Sequence, residues 1–221
     1  MGKLSETYFG TDEVPQCIVL GGYQEAPFRE VFGDLKTEFS CESSCFSGYL
    51  FSDPPLSVIK NVYGAPSAYE AVKTLKDGNC RAMTFVGYAQ SRVGHEIGEV
   101  IVPTRIKGLD SISNEGELKP EVSKESLMVQ PDEFGGRHLS KQAVTYESQE
   151  VDREIESFEP HSIDLELATI VKASNNLGID CQFYLIISDR AFEDLFDEKK
   201  KNRKIESMIE LLTKIKSRFA S

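Results

Sequence analysis

Cys181-Gln182-Phe183-Tyr184-Leu185-Ile186-Ile187-Ser188-Asp189 is an apolar run that stops on Ser-Asp. Its aromatic and β-branched residues, following a helix ended by Gly178, predict a buried strand. A carboxylate at the C-terminal end of such a strand stands where α/β proteins hold their ligands. Upstream, Ser162-Ile163-Asp164-Leu165-Glu166-Leu167-Ala168-Thr169-Ile170 sets Glu166 in otherwise apolar company. This stretch reads as part of a helix over Asp164 to Leu177. Two acids reaching one crevice from neighbouring elements suit work on a polar small molecule.

Outward from this pair, strands and helices alternate. Cys17 to Leu20 reads as a short buried strand entering the Gly21-Gly22 turn, and Phe28 to Leu35 as a short helix. Cys45 to Phe51 and Leu56 to Val62 read as strands joined at Ser52-Asp53-Pro54-Pro55, a strong turn signal. Pro66 sits early in a helix whose stripe is Ala68, Val72 and Leu75 and whose end is Asp77-Gly78. Arg81 to Val86 and Gly98 to Thr104 are further strands. From Lys107 to Gln142 the chain turns polar and glycine-dotted, which predicts a long excursion with a strand near Leu127 to Val129. Ala143 to Tyr146 resumes strand character, and Val151 to Phe158 an acidic helix. Ile205, Met208, Ile209, Leu212 and Ile215 mark one face of a last helix over Lys204 to Phe219. Alternation of this kind predicts an α/β layered fold around a parallel or mixed sheet.

Composition narrows the function classes. The chain has 221 residues, is 40% hydrophobic and carries a net charge of −11, enough for one substantial domain. The acidic balance argues against a nucleic-acid partner, since it offers a polyanion no overall attraction. No apolar run approaches the length that spans a bilayer, so no membrane partner is expected. The first 16 residues read as a loose polar leader and 17–221 as a single domain. The start lacks the apolar segment of a signal peptide, and Glu6 stands where a myristoylation signal needs Ser or Thr. Five cysteines form no C-x-x-C pair. Cys41 and Cys45 have no second ligand pair at zinc spacing, so reduced thiols in a cytoplasmic protein are expected.

Four segments then carry a resemblance: Ile18-Val19-Leu20-Gly21-Gly22, Val62-Tyr63-Gly64-Ala65-Pro66-Ser67-Ala68, Ile163-Asp164-Leu165-Glu166-Leu167-Ala168 and Ile186-Ile187-Ser188-Asp189. In order, they resemble the first strand and glycine turn, the Gly-x-Gly-x-x-Ala helix opening, the Val-Asp-Met-Glu-x-Ala segment and the Val-Ser-Asp strand end of the nucleoside phosphorylase superfamily. That superfamily comprises purine nucleoside and uridine phosphorylases and the methylthioadenosine/S-adenosylhomocysteine nucleosidases. The likeness spans roughly residues 17 to 219 and implies a three-layer α/β/α sandwich with a central mixed β-sheet. It implies that Glu166 accepts hydrogen bonds from ribose hydroxyls, with Leu165 at the family's Met position under the sugar. Asp189 would share a proton with N7 of a departing purine, a role that contributes about 10²–10⁴-fold. Arg203 stands near the family's arginine, and Gly22, Gly87, Tyr88 and Tyr146 are further substrate-contact positions. No metal or organic cofactor is implied; a homo-oligomer is. The plainer alternatives are a turn or cap residue for Asp189, a structural ion pair for Glu166, a solvated loop for Lys199 to Lys204 and simple core for Tyr146.

The sequence also departs from the family. Phosphorylases hold phosphate with Arg-x-Gly-Thr or Arg-x-Gly-Ser, where this chain has Phe85-Val86-Gly87-Tyr88. A phosphate dianion needs cationic, preferably bidentate donors, and Arg29, shortly after the glycine turn, is a candidate substitute at a spacing the family does not use. The nucleosidases instead activate water with a glutamate after the glycine turn, and Glu25 lies near that place. These readings favour hydrolysis of a purine nucleoside or related compound over phosphorolysis, phosphate remaining a second candidate partner. The alternative is a non-catalytic nucleoside- or nucleotide-binding protein whose nucleophile pocket is filled by Phe85 and Tyr88.

Overall fold

A computed structural model describes residues 3–109, 117–120, 136–141, 149–190 and 198–219. Strand β1 (Cys17–Gly21) is buried along its length, as a continuous apolar run between two parallel neighbours must be. Those neighbours are β4 (Pro55–Val62) and β5 (Ala82–Ser91). Beyond β4, the antiparallel strands β3 (Ser47–Ser52) and β2 (Thr37–Glu42) lead to one edge of the sheet.

The long strand β5 organises the rest. One of its sides pairs first with β1 and then, at Gln90 and Ser91, with the antiparallel β10 (Ser162–Asp164). Its other side pairs in parallel with β11 (Asp180–Arg190), which also carries the short β6 (Val100–Ile101). From β10 the sheet continues through β9 (Arg137–Ser140), β7 (Arg105–Gly108) and β8 (Glu117–Leu118), eleven strands in all among the described residues.

Helices flank this mixed sheet. α3 (Gly64–Asp77) packs with α5 (Leu167–Leu177), and α2 (Glu25–Phe32) with α6 (Glu198–Ser217). α3 turns Ala68, Ala71, Val72 and Leu75 inward, the stripe its spacing implies. The three-layer α/β/α arrangement expected from the sequence is the one observed. Phe9, Leu20, Phe85, Tyr184 and Ile186 are wholly buried in one continuous core, and each such side chain contributes about 1.5–3 kcal/mol. Among the described residues, no helix is long and apolar enough to cross a membrane.

Several boundaries differ from expectation. The supposed leader contains a helix, α1 (Leu4–Phe9), that packs on α3, β2 and β3; Phe9 and Val14 are core residues, so hydrophobic burial ties this segment to the domain. Residues 162–164 are strand rather than helix, because pairing to β5 and β9 on both sides outweighs local propensity. The strand expected over Gly98 to Thr104 shrinks to β6. The excursion holds β8, β9 and the end of β7, whose polar residues concealed them. The basic run 199–204 is helical, as lysine and arginine without glycine or proline permit. A further helix, α4 (Gln149–Phe158), lies where the acidic helix was expected. Leu127 to Val129 and Ala143 to Tyr146 lie outside the described residues.

Candidate active site

The two strands that share one side of β5 diverge, and a notch opens between them. Leu20 of β1 pairs opposite Val86, whereas β10 joins only at Gln90. A cavity of about 330 Å³ occupies this notch. Its floor is Tyr88, Ala89 and Gln90; one wall is Gly21, Gly22 and Tyr23, and the other runs from Ile163 to Glu166. Ser188 and Asp189 close one end, Lys141 stands beside the second wall, and Tyr63 faces in from the start of α3. The site is thus a break in strand order at strand ends, as in other α/β sheets.

Glycine shapes the rim. Gly22 and Gly64 both have φ of +74°, a region that only glycine enters without strain. The Gly22 N–H donates to the Val62 carbonyl at 2.6 Å. The Gly64 N–H donates to Oε1 of Glu166 at 2.7 Å. Glu166 itself precedes α5 and is buried. Its carboxyl therefore ties the starts of α3 and α5 together inside the cavity wall. Burial, reinforced by the nearby Asp164 carboxylate, pushes its pKa up to about 8.

Asp189 follows an irregularity in the β5–β11 register between Ile187 and Asp189. Such a bulge re-aims a side chain at the end of a strand. One carboxylate oxygen accepts from Nε2 of Gln90 at 2.8 Å, and the other accepts from the Ser188 hydroxyl. Tyr88 is held neutral, its hydroxyl pushed up to about 12 by burial. Lys204 of α6 lies over the Tyr88 ring, 5.7 Å from its centre.

The structure brings Gly22, Tyr88, Leu165, Glu166 and Asp189 together around one cavity. It does not bring Glu25, Arg29, Gly87 or Arg203 to its lining. Glu25 opens α2 and binds Nζ of Lys60 at 2.5 Å and Arg29 at 3.5 Å. Lys60 holds the Glu25 carboxyl below its usual range. Arg203 is an exposed α6 residue whose stem lies against Gly98. Gly87 lies within β5, where the Phe85 ring packs so closely that a Cβ would stand 2.9 Å from it. Phe85 is core rather than cavity wall. Tyr146 lies outside the described residues.

Sequence reasoning missed Gln90, Lys141 and Lys204, together with the Gly64 N–H. Gln90 has a legible signal, a polar residue closing an apolar strand level with Asp189. The Gly64 bond has none, since it joins residues far apart in the chain.

No family model and no curated protein matches the chain. Solved structures do. The 5′-methylthioadenosine/S-adenosyl homocysteine nucleosidase of Campylobacter jejuni superposes with a TM-score of 0.64 at 17% identity, covering 90% of this chain and 96% of its own. A futalosine hydrolase mutant from Helicobacter pylori gives 0.61 at 16% identity, covering 92% and 98%. The Arabidopsis thaliana 5′-methylthioadenosine nucleosidase in apo form gives 0.69 at 13% identity, covering 95% and 97%. At these identities the likeness is one of fold, and it extends over nearly the whole chain.

Proposed function

On this nucleoside phosphorylase-like fold, we propose that the chain cleaves the N-glycosidic bond of a purine nucleoside or related compound, with water as the acceptor. The observation that carries this reading is the convergence of Glu166 and Asp189 on one notch in the sheet. Glu166 holds the sugar: Gly64 takes one lone pair of its carboxyl, and the remaining oxygen sites are offered to the ribose hydroxyls. Leu165 packs beneath the ring. Asp189, oriented by Gln90 and Ser188, shares a proton with N7 as the base departs and the sugar becomes oxocarbenium-like. Water rather than phosphate is favoured because Lys141 is the single cation among the described residues of the lining. One ammonium is a poor match for a dianion that calls for bidentate donors.

A second reading, a protein that binds a nucleoside without cleaving it, is favoured by one observation. Glu25, the nearest candidate for activating water, is occupied by Lys60 outside the lining. Chromatographic measurement of free base separates the two. The chain is incubated with 5′-methylthioadenosine, adenosine, inosine and uridine, with and without phosphate. We expect release independent of phosphate, cut by about 10²–10⁴-fold in Asp189→Asn. Release only with phosphate overturns hydrolysis. Thermal stabilisation by a nucleoside without any release establishes the binding reading.

A further inference from the structure

Behind the second wall of the cavity, a set of polar side chains is closed off from solvent. His138 and Ser140 lie on the same face of β9, and Ser162 and Asp164 lie opposite them on β10, in register. The His138 side chain is 0% exposed and that of Asp164 is 1% exposed. One oxygen of Asp164 accepts from Nε2 of His138 at 2.8 Å and from the Ser140 hydroxyl at 2.5 Å. The other accepts the N–H of Leu167 at 2.9 Å. With Asp164 as the acceptor, Nε2 of His138 is the donor, and Nδ1 lies 2.9 Å from the Ser162 hydroxyl, which can donate or accept. Ser140, having donated its proton, accepts the N–H of Ala168 at 2.9 Å.

We propose that His138 and Ser140 are positioning residues for Glu166, acting through Asp164 to fix where its carboxyl stands in the cavity. This rests on the reading of Glu166 as the sugar-holding group. Glu166 lies between Asp164, anchored by two side chains, and the first N–H groups of α5, anchored by Asp164 and Ser140. Helix starts leave such N–H groups without partners inside the helix. Here the groups that satisfy them also hold the residue two positions before Glu166. The Glu166 carbonyl accepts from Ile170 at 3.0 Å, so its backbone is committed on the helical side as well. Only its side chain is left to reach Gly64 and the cavity.

Stability alone is a weak reason for this arrangement. Buried polar sets are often replaced by well-packed apolar residues with little loss, and every member here must find its partner to avoid a desolvation penalty. The network has an electrostatic consequence too, since it holds the Asp164 carboxylate close to Glu166. The other titratable groups facing Glu166 across the cavity are Asp189, Lys141 and the tyrosines at 23, 63 and 88, with His138 on the far side of Asp164.

The test reads the Glu166 carboxyl directly and needs no substrate. Protein labelled with ¹³C at the glutamate carboxyls is titrated by NMR, and the Glu166 signal is assigned by its loss in Glu166→Gln. We expect Asp164→Asn, His138→Leu and Ser140→Ala to move the Glu166 titration toward acid by about one unit. His138→Gln, which keeps a donor in reach of Asp164, should stay near wild type. A Glu166 titration and chemical shift unchanged in folded His138→Leu and Ser140→Ala, with only melting temperature reduced, would overturn the proposal. Should His138→Leu fail to fold, Ser140→Ala and Asp164→Asn carry the same comparison. A nucleoside neither cleaved nor bound sinks the sugar-holding role yet leaves this titration as it was, so the two failures are distinguishable.

Discussion

Glu25 and Glu166 are both glutamates at the N-terminal end of a helix, and they meet opposite fates. Glu25 faces a lysine whose side chain is only 6% exposed and which also lies over the rings of Phe28 and Tyr49. Its carboxyl is drawn below its usual range and its charge is spent on Lys60. Glu166 faces a backbone N–H and a second carboxylate, and its pKa rises to about 8. The contrast teaches that position after a strand or before a helix does not assign a role to an acid. The role follows from what stands against it. A carboxyl paired with a lysine has fewer lone pairs to offer, and one in a cavity wall has more.

The largest expected effect is on ligand binding. Replacing Glu166 with alanine removes hydrogen bonds worth about 0.5–1.5 kcal/mol each to the neutral carboxyl and about 1.5–3 kcal/mol each once it is ionised. The affinity for 5′-methylthioadenosine should fall by about 10–100-fold, and with it the rise in melting temperature that ligand confers on wild type. Glu25→Ala should keep that rise. If the two variants exchange behaviour, the acid of α2 belongs to the site and the acid before α5 does not.

The next effect is on stability against pH, where the two acids have opposite signs. Glu166 has a usual value of 4.5 and about 8 in the folded chain. Between those values the folded state keeps a proton that the unfolded state has released, so stability falls as pH rises, by at most about 1.4 kcal/mol per unit. Glu25 is lowered from 4.5. Its contribution is complete above that value and is lost as pH falls below it. Urea titrations across this range should show the downward slope in wild type and its loss in Glu166→Gln. Glu25→Gln should alter only the acid side. A wild-type slope between pH 5 and 8 that survives in Glu166→Gln assigns it to another group.

What the sequence made legible follows the same physics. Strand β1 and the Phe183 to Ile187 part of β11 are apolar runs ended by glycine or Ser-Asp, and α3 has a clean stripe with Pro66 and Gly78 near its ends; burial and local geometry agree in each, whereas β5, read as ending at Val86, runs on through Gly87 to Ser91. Glu166 and Asp189 could be brought together because each sits at the edge of such an element. The second wall was less legible. Ser162–Asp164 becomes a strand only through its pairing with β5 and β9, and β9 hides behind Arg137, His138 and Ser140, residues that periodicity scores as loop. The spacing of His138 and Ser140 places them on one face of a strand, but their buried partners come from β10, and single-sequence patterns carry no register. α1 was lost for a related reason. Phe9 is its one wholly buried large apolar residue, and its place in the core comes from packing on α3.

The smallest expected effect comes from the Lys60–Glu25 ion pair. Lys60→Met keeps an apolar stem between Phe28 and Tyr49 and removes the charge that occupies Glu25. The Glu25 side chain is one-third exposed, so water can take over its solvation, and the loss in stability should stay within about 1 kcal/mol. On the reading favoured here, base release should change by less than about threefold, because Glu25 already stands outside the cavity lining. A tenfold or greater change, equivalent to about 1.4 kcal/mol on the barrier, would show that the ion pair governs the reaction. Lys60 would then be a regulator of Glu25 rather than its structural partner, and the water-activating role would return to α2.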